Sequence, residues 1–307
     1  MNKRKSQDTG KALAFLAIPL LSILILSVLP ILYTVWLAFT DKTIISGDTV
    51  NFVGLANFVD VFKGPFSSVF FPVFGWTVVF AVISTFGSFF VGLIMAMLVN
   101  NNNIKERGVY KAILILPWAL PVTVAILSWQ GLLNGSYGAI NNMLLNIHII
   151  SEPIQWLADP TWARIALCFV NIWLGFPYQM NICLGALASI PKEYYEAADV
   201  DGASKATQFF KITLPSIAQT AYPLLITSFS FNFNNFGSAY LVTSGLPARS
   251  DSQWAGYTDI LASVNFKLAS TLGKYQTAST ISIIVFVILA TISYLQMRMT
   301  GQFKEVE

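Results

Sequence analysis

PKEYYEAADVDGASKATQFFKITLP, residues 191–215, is the polar stretch on which the reading of this chain turns, because it interrupts a sequence that is otherwise lipid-compatible. Pro191 suits the first position of a helix. Glu193 and Glu196 fall in its opening turns, where the helix dipole favours anions, and Gly202 suits a left-handed residue that ends it. A second short helix is expected from about residue 204 to 213, with Pro215 leading into the next apolar segment. Ala197, Ala198, Gly202 and Ala203 carry little bulk, so another protein's surface could approach this backbone closely. Such a segment reads either as a docking element or as an amphipathic helix lying at a membrane interface.

The flanking sequence sets the surroundings of this stretch. Of 307 residues, 55% are hydrophobic and 11% charged, with a mean hydropathy of +0.64. Soluble domains carry about 25% charged residues, so the composition is that of a polytopic membrane protein. A net charge of +3 is too small to argue for a nucleic-acid partner. Apolar runs at 12–39, 71–99, 109–133, 163–187, 214–242 and 278–297 can each cross about 30 Å of hydrocarbon. The fold class expected is therefore all-α, a six-helix transmembrane domain over 12–297 with tails at 1–11 and 298–307. The first run, about 28 residues, exceeds the ~7–15 of a signal-peptide core, so an uncleaved helix is expected. Cys168 and Cys183, fifteen residues apart on one expected helix, would lie about 22 Å apart, beyond disulfide reach.

Charge sets the expected orientation. With the N-terminus inside, Lys3, Arg4, Lys5, Lys11, Lys105, Arg107, Lys111, Lys192, Lys205, Lys211, Arg298 and Lys304 are cytoplasmic, twelve of the eighteen basic residues. This positive-inside bias places both termini and the 191–215 loop on the cytoplasmic side of a plasma membrane. Trp76, Trp129, Trp156 and Trp162 then fall near the opposite face, as an interfacial aromatic belt. Turn-rich stretches at 134–138 and 244–247 read as external loops, and His148, the only histidine, as a solvated loop residue. No paired Cys/His spacing suggests a metal, and no nucleophile and base come together as a triad.

The fifth run carries the strongest chemical signal. Ser228, Ser230, Asn232, Asn234 and Asn235 lie about 20 to 30 Å along a helix starting at Pro215. Buried amides in hydrocarbon need partners. At about 100° per residue, Ser228, Phe231, Asn232 and Asn235 share one face, while Phe229, Phe233 and Phe236 lie mostly on another. That face combines hydroxyl, amide and ring. Sugar recognition needs this mixture, since hydroxyls require donors and acceptors while apolar ring faces stack on aromatics. Interhelical hydrogen bonding by Ser and Asn is the competing reading. Trp118, between Pro117 and Pro121, and Tyr178, after Pro177, stand on expected kinked helices that could line the same cavity.

Glu196-Ala197-Ala198, three residues, Gly202, nine residues, then Ile212-x-Leu214-Pro215 resembles the EAA loop of ABC importer permeases, meeting all seven specified positions. Trp173-Leu174-Gly175-Phe176-Pro177-Tyr178, the run Ser228 to Phe236 and Ala255-Gly256-Tyr257-Thr258-Asp259 resemble the larger permease subunit of maltose/maltodextrin importers. The resemblance covers roughly residue 51 to the C-terminus. It implies that Glu193, Glu196, Ala197, Ala198 and Gly202 belong to a coupling helix seated on a cytoplasmic ATPase. It also implies sugar contacts at Trp118, Leu174, Gly175, Tyr178, Ser228, Phe231, Asn232 and Asn235. Trp118 departs from the tyrosine the resemblance leads one to expect, which keeps a stacking ring and replaces a hydroxyl by an indole donor. The large external insertion and additional N-terminal helices of some such permeases have no expected counterpart here.

The function expected is thus a permease subunit of an ATP-driven importer of maltose/maltodextrin-type oligosaccharides, with trehalose, raffinose or other α-glucosides as alternatives. The chain carries no G-x-x-x-x-G-K-[ST] phosphate loop. It is therefore expected not to be an enzyme and to hold no cofactor, with ATP and magnesium bound by two separate ATPase subunits. A second, different permease subunit, an extracytoplasmic sugar-binding protein and the lipid bilayer are the other expected partners. A secondary transporter or channel normally needs intramembrane carboxylates, gating cations or filter loops, and the expected spans contain essentially no acidic residue. A membrane enzyme or a scaffold is the third class, and neither accounts for the mixed polar and aromatic face.

Overall fold

The structure is a computed structural model that describes residues 15–47, 49–101, 104–252 and 254–299. The tail 1–11 lies outside the described residues, as does the tail 298–307 apart from Arg298 and Met299. In chain order the helices are α1 (Phe15–Ala38), α2 (Ala56–Lys63), α3 (Ser67–Val99), α4 (Arg107–Ala119), α5 (Val122–Leu132), α6 (Ala139–Asn146) and α7 (Pro160–Ala188). They continue with α8 (Lys192–Val200), α9 (Lys205–Gln208), α10 (Leu214–Phe233), α11 (Phe236–Thr243), α12 (Leu261–Phe266) and α13 (Tyr275–Met299). Isolated bridges, Thr40 with Phe52 and Ala248 with Gly256, are the strand-like pairings among the described residues.

The described residues form two compact units. The first takes the residues up to Ser67 together with Asn265–Val287. In it α1 is mostly apolar and is unburied up to Trp36, a surface made for lipid, with Leu37 and Ala38 buried at its end. The chain after α1 is tied down by backbone bonds from Ile44 N to Gly273 O (2.8 Å) and from Gln276 N to Lys42 O (3.1 Å). The Asn57 amide donates to both Ala38 O and Thr40 O at 2.8 Å, satisfying carbonyls that the end of α1 leaves unpaired.

The second unit holds Ser68–Val264 and the residues from Ile288 onward. Its centre is the pairing of α3 with α7, brought close because glycines face the partner helix. A Cβ at Gly92 would lie 2.6 Å from the Met180 backbone nitrogen, and one at Gly175 would lie 2.6 Å from Ser88 Oγ. Small residues of this kind let membrane helices pack backbone to backbone. Two apolar clusters follow, one around Phe80, Ile126 and Leu167, the other around Phe89, Met180 and Ile217.

Two expected spans are broken. Residues 109–133 form α4 and α5, bent by 92°. Pro121 disfavours helical backbone at the residue before it, and Leu120 is accordingly extended (φ −76°, ψ 146°). Residues 214–242 form α10 and α11, interrupted at Asn234 and Asn235. Asn235 accepts the Ser238 N–H on its side chain, a cap that competes with helix continuation. Among the described residues, four helices (α1, α3, α7 and α13) are long and apolar enough to cross a membrane, or five spans if the bent pair is one. Length and apolarity alone therefore yield fewer spans than the six expected from the sequence. α10 has 20 residues, and Ser216, Gln219, Ser228, Ser230 and Asn232 dilute its hydropathy. By contrast α7 runs as one helix of 29 residues through Pro177.

Of the expected tryptophan belt, Trp162 is exposed and the rest turn inward to different degrees. Trp76 is buried in the Phe80 cluster, with Trp129 and Trp156 packed against it. Their indole N–H groups explain the preference: Trp76 Nε1 donates to Thr258 O (3.3 Å) and Trp156 Nε1 to Asn141 Oδ1 (2.9 Å). His148 sits exposed at φ +59° after α6, and both cysteines are buried and free.

Candidate functional site

A cavity of about 550 Å³ lies in the second unit, walled by α3, α4, α5, α7, α10 and α11. Small-molecule sites span ~300–1,000 Å³, so its size suits a ligand of a few rings. All eight residues expected at a substrate site line it: Trp118 from α4, Leu174, Gly175 and Tyr178 from α7, Ser228, Phe231 and Asn232 from α10, and Asn235 at the break. The break at Leu120 and Pro121 leaves Trp118 in the last turn of α4, 6.4 Å ring to ring from Tyr178. Trp118 and Phe231 are 59% and 69% exposed, so their rings are open to a ligand rather than consumed by packing.

The route by which Asn235 arrives differs from the expected one. It does not continue the face of Ser228, Phe231 and Asn232, because α10 ends at Phe233 and Asn235 is non-helical (ψ 72°). Its side chain nonetheless joins theirs through α7. Asn235 Nδ2 donates to Asn171 Oδ1 (3.0 Å), Asn171 Nδ2 to Asn232 Oδ1 (2.9 Å), and Asn232 Nδ2 to Thr85 Oγ1 (2.9 Å). Asn234, at the C-terminal cap of α10, is exposed and is not among the lining residues.

Nine further lining residues were not among those eight, Ser88, Asn171 and Gln179 among them. Gln179 Nε2 donates to Ser228 Oγ (2.9 Å) while its Oε1 is buried without a partner. A signal for two of them was present. Asn171, Gly175, Tyr178 and Gln179 recur at i, i+4, i+7 and i+8, one face of a helix, and amides inside an apolar span call for a purpose. The lining contains hydroxyls, amides, rings and aliphatics and no charged side chain. Among the described residues no group of three or more His, Cys, Asp or Glu could hold a metal.

The 191–215 stretch also takes shape in the second unit. Pro191 is the cap of α8 (φ −59°, ψ 135°) rather than its first residue, and Glu193 lies in the first turn. Gly202 has φ +70°, the left-handed conformation that ends a helix at no steric cost to glycine. The second helix covers the expected residues, but only α9 is α-helical and the helical backbone runs on into α10. Ser204 caps α9 through the Thr207 N–H, and a π turn at Phe209–Thr213 then joins α9 to α10. That turn precedes Pro215, which has no N–H for a regular bond; Leu214 N reaches back to Phe209 O instead.

No residue of α8 is buried. Glu193, Glu196, Ala197 and Gly202 are exposed and Ala198 is half-buried, while Val200 stands 89% exposed. The segment is clasped by polar contacts: Lys205 Nζ to Asp199 (2.9 Å), the Gln208 amide to Asp199, and Tyr195 OH to Thr213 Oγ1 (2.8 Å). The hydrogen bonds from Lys205 and Gln208 hold the Asp199 carboxyl below its ordinary pKa.

Comparison with known proteins places the chain. The family model of the binding-protein-dependent transport system inner membrane component matches residues 88–302. The galactooligosaccharides transport system permease protein GanP of Bacillus subtilis is 39% identical over 292 residues, covering 94% of this chain and 69% of GanP. The maltose/maltodextrin transport system permease protein MalF of Klebsiella aerogenes is 40% identical over 259 residues, covering 83% of this chain and 50% of MalF. The chain thus spans about half the length of the MalF relatives it matches. In fold it is similar to a crystal structure of a bacterial ABC transporter involved in the import of the acidic polysaccharide alginate (TM-score 0.78, 22% identity, 98% of this chain and 99% of the other covered). The chain therefore belongs to the family of binding-protein-dependent transport system inner membrane components: it is a multi-pass ABC importer permease subunit and not an enzyme, ATP being hydrolysed by separate ATPase subunits.

Proposed function

We propose that this chain is the permease subunit through which an ABC importer carries a neutral oligosaccharide, of the maltodextrin or galactooligosaccharide kind, into the cytoplasm. The observation that carries this reading is the cavity itself. Eight residues from three helices and the α10–α11 break meet around it, joining open rings at Trp118, Tyr178 and Phe231 to hydroxyl and amide groups without a single charge. Rings stack on the apolar faces of sugars, and amides satisfy both the donor and the acceptor of each hydroxyl. The names of the relatives, galactooligosaccharide and maltose/maltodextrin permeases, support the same substrate class.

In this reading the chain crosses the membrane six times, the broken pairs α4–α5 and α10–α11 each counting as one crossing, with both termini cytoplasmic. A second, different permease subunit completes the pore, and an extracytoplasmic binding protein delivers the sugar. Two ATPase subunits hold ATP and magnesium and receive α8, with Glu193, Glu196, Ala197, Ala198 and Gly202 at the contact. α8 and the turn after it suit that role because they are folded and exposed and carry little bulk at Ala197, Ala198 and Gly202.

The test is uptake by the assembled importer, purified with co-expressed partner subunits and binding protein and reconstituted in liposomes. Radiolabelled maltotriose or galactotriose is expected to accumulate in an ATP-dependent way, and a uronic-acid trimer to compete poorly for lack of a cationic partner in the cavity. Accumulation of neither neutral trimer would overturn the reading.

A further inference from the structure

The amide chain in the cavity wall runs head to tail across the break between α10 and α11. Asn232 belongs to the last turn of α10, Asn235 caps α11, and Asn171 of α7 stands between them. Asn171 accepts from Asn235 (3.0 Å) and donates to Asn232 (2.9 Å), which in turn donates to Thr85 (2.9 Å). Each member thereby dictates the orientation of the next. An amide can be turned over at little cost when isolated, but in this chain a turned amide would set oxygen against oxygen. Asn235 is fixed at its other end too, since Nδ2 also donates to Ser238 Oγ (3.1 Å) and Oδ1 accepts the Ser238 N–H (3.3 Å).

Burial makes the arrangement strict. Asn171 is 5% exposed, Asn232 8% and Thr85 1%, so each has little contact with water through which to replace a lost partner. After these bonds, one N–H of Asn232 and one lone pair on its oxygen remain for whatever occupies the cavity. Which of the two faces the cavity from which side is set by Asn171.

We infer that Asn171 is a positioning residue for the substrate: by bonding to both sides of the α10–α11 break it fixes the donor and acceptor directions that Asn232 and Asn235 present to a sugar. This rests on the reading of the cavity as the sugar site.

Two substitutions test it in the reconstituted importer, with whichever of maltotriose or galactotriose the wild type carries. Asn171→Leu keeps the volume and removes both bonds. It should raise the half-saturating sugar concentration roughly tenfold, the loss of one to two net hydrogen bonds. Asn171→Asp supplies the discriminating result. A carboxyl buried among these groups favours its neutral form, and the neutral acid can accept from Asn235 and donate to Asn232 as the amide does. The carboxylate cannot donate; it opposes the Asn232 oxygen, or turns that amide over and exchanges the donor and acceptor shown to the sugar.

Near the substituted position, α3, α5, α10 and α11 offer no Asp, Glu, Lys, Arg or His. Tyr222 and Tyr240 are the titratable groups of α10 and α11. On α7 stand Arg164, Cys168, Tyr178 and Cys183, and on α4 Arg107, Tyr110 and Lys111 in the first turns. Relative to wild type at each pH, Asn171→Asp should be near normal at pH 5.5 and weakened roughly tenfold at pH 8. The proposal is overturned if Asn171→Leu keeps the wild-type half-saturation, or if the Asn171→Asp deficit is the same at both pH values, which is the mark of a packing defect. Phe231→Ala separates the two readings. If it impairs uptake while Asn171→Leu does not, the sugar site stands and the positioning role falls. If the wild type carries neither sugar, both fall.

Discussion

In the cavity wall, the buried Asn171, Asn232 and Thr85 bond in a chain with the half-buried Asn235; in the α8 segment, exposed Asp199 meets exposed Lys205 and the buried amide of Gln208. Both regions are polar interruptions of an apolar chain, but the medium reverses what each bond is worth. A buried amide left without a partner keeps the whole cost of its lost hydration, whereas an exposed pair exchanges its contact for water at little loss. The amide chain can therefore set directions for a ligand. The clasp can only keep α8 folded and presented, so the function of that segment resides in the surface it exposes.

The sharpest way to break this contrast is at the cavity. Phe231→Ala and Asn232→Leu should each lower uptake at sub-saturating sugar by roughly tenfold or more, with the complex still assembled, for loss of a stacking ring or of a buried amide. Asn234→Ala, which alters an exposed cap outside the lining, should transport as the wild type. Impaired uptake by Asn234→Ala beside normal uptake by Asn232→Leu would reassign the cavity amides to interhelical packing.

At the exposed segment, Glu196→Lys reverses an exposed charge in the middle of α8, and Gly202→Asp strains a residue at φ +70°. Each should raise the ATP hydrolysed per sugar carried by several-fold, with the order of sugar preference unchanged. Wild-type transport by both variants, ATPase attached, would separate α8 from coupling. Its sidedness has its own check: a cysteine at Ser204, in a background free of Cys168 and Cys183, should resist a membrane-impermeant maleimide in intact cells. Ready labelling would place the loop outside.

The smallest effect belongs to the clasp itself. The folded-state pKa of Asp199 is depressed, so its contribution is complete above its unfolded value of about 3.9 and is lost as pH falls through the lowered folded value. Proteolytic nicking between α8 and α9 by an acid-active protease should accordingly quicken only below about pH 4. At neutral pH, Asp199→Asn should change the nicking rate less than twofold, as expected of an exposed pair. A large change at pH 7 would mean that the clasp carries more than presentation.

Much of this was legible in residues 173–178, 191–215 and 228–236. Gly202 and the polar α8 segment follow from local rules, since a left-handed cap and a polar surface need only the neighbouring residues to explain them. The helical face of Ser228, Phe231 and Asn232 was legible for the same reason. Periodicity misled at Asn235, where a side-chain cap defeats the helix, and at 109–133, where two prolines three residues apart from Leu120 or beside it produce a 92° bend instead of a kinked span. The charge-based topology misled for Trp76, because whether an indole faces lipid or core depends on a distant acceptor, here Thr258 O.

The sequence by itself determined an apolar helical chain, a polar loop with a glycine cap, and which residue types could meet a sugar, because composition and spacing of one to eight residues encode these directly. Only the tertiary structure decided that Asn171 would stand between Asn232 and Asn235, residues more than sixty positions away. The close approach of α3 to α7 over Gly92 and Gly175 helps build the wall in which they meet, and it is made by surfaces brought together from far apart in the chain. A hydrogen bond has no signature in sequence until packing has chosen its partner.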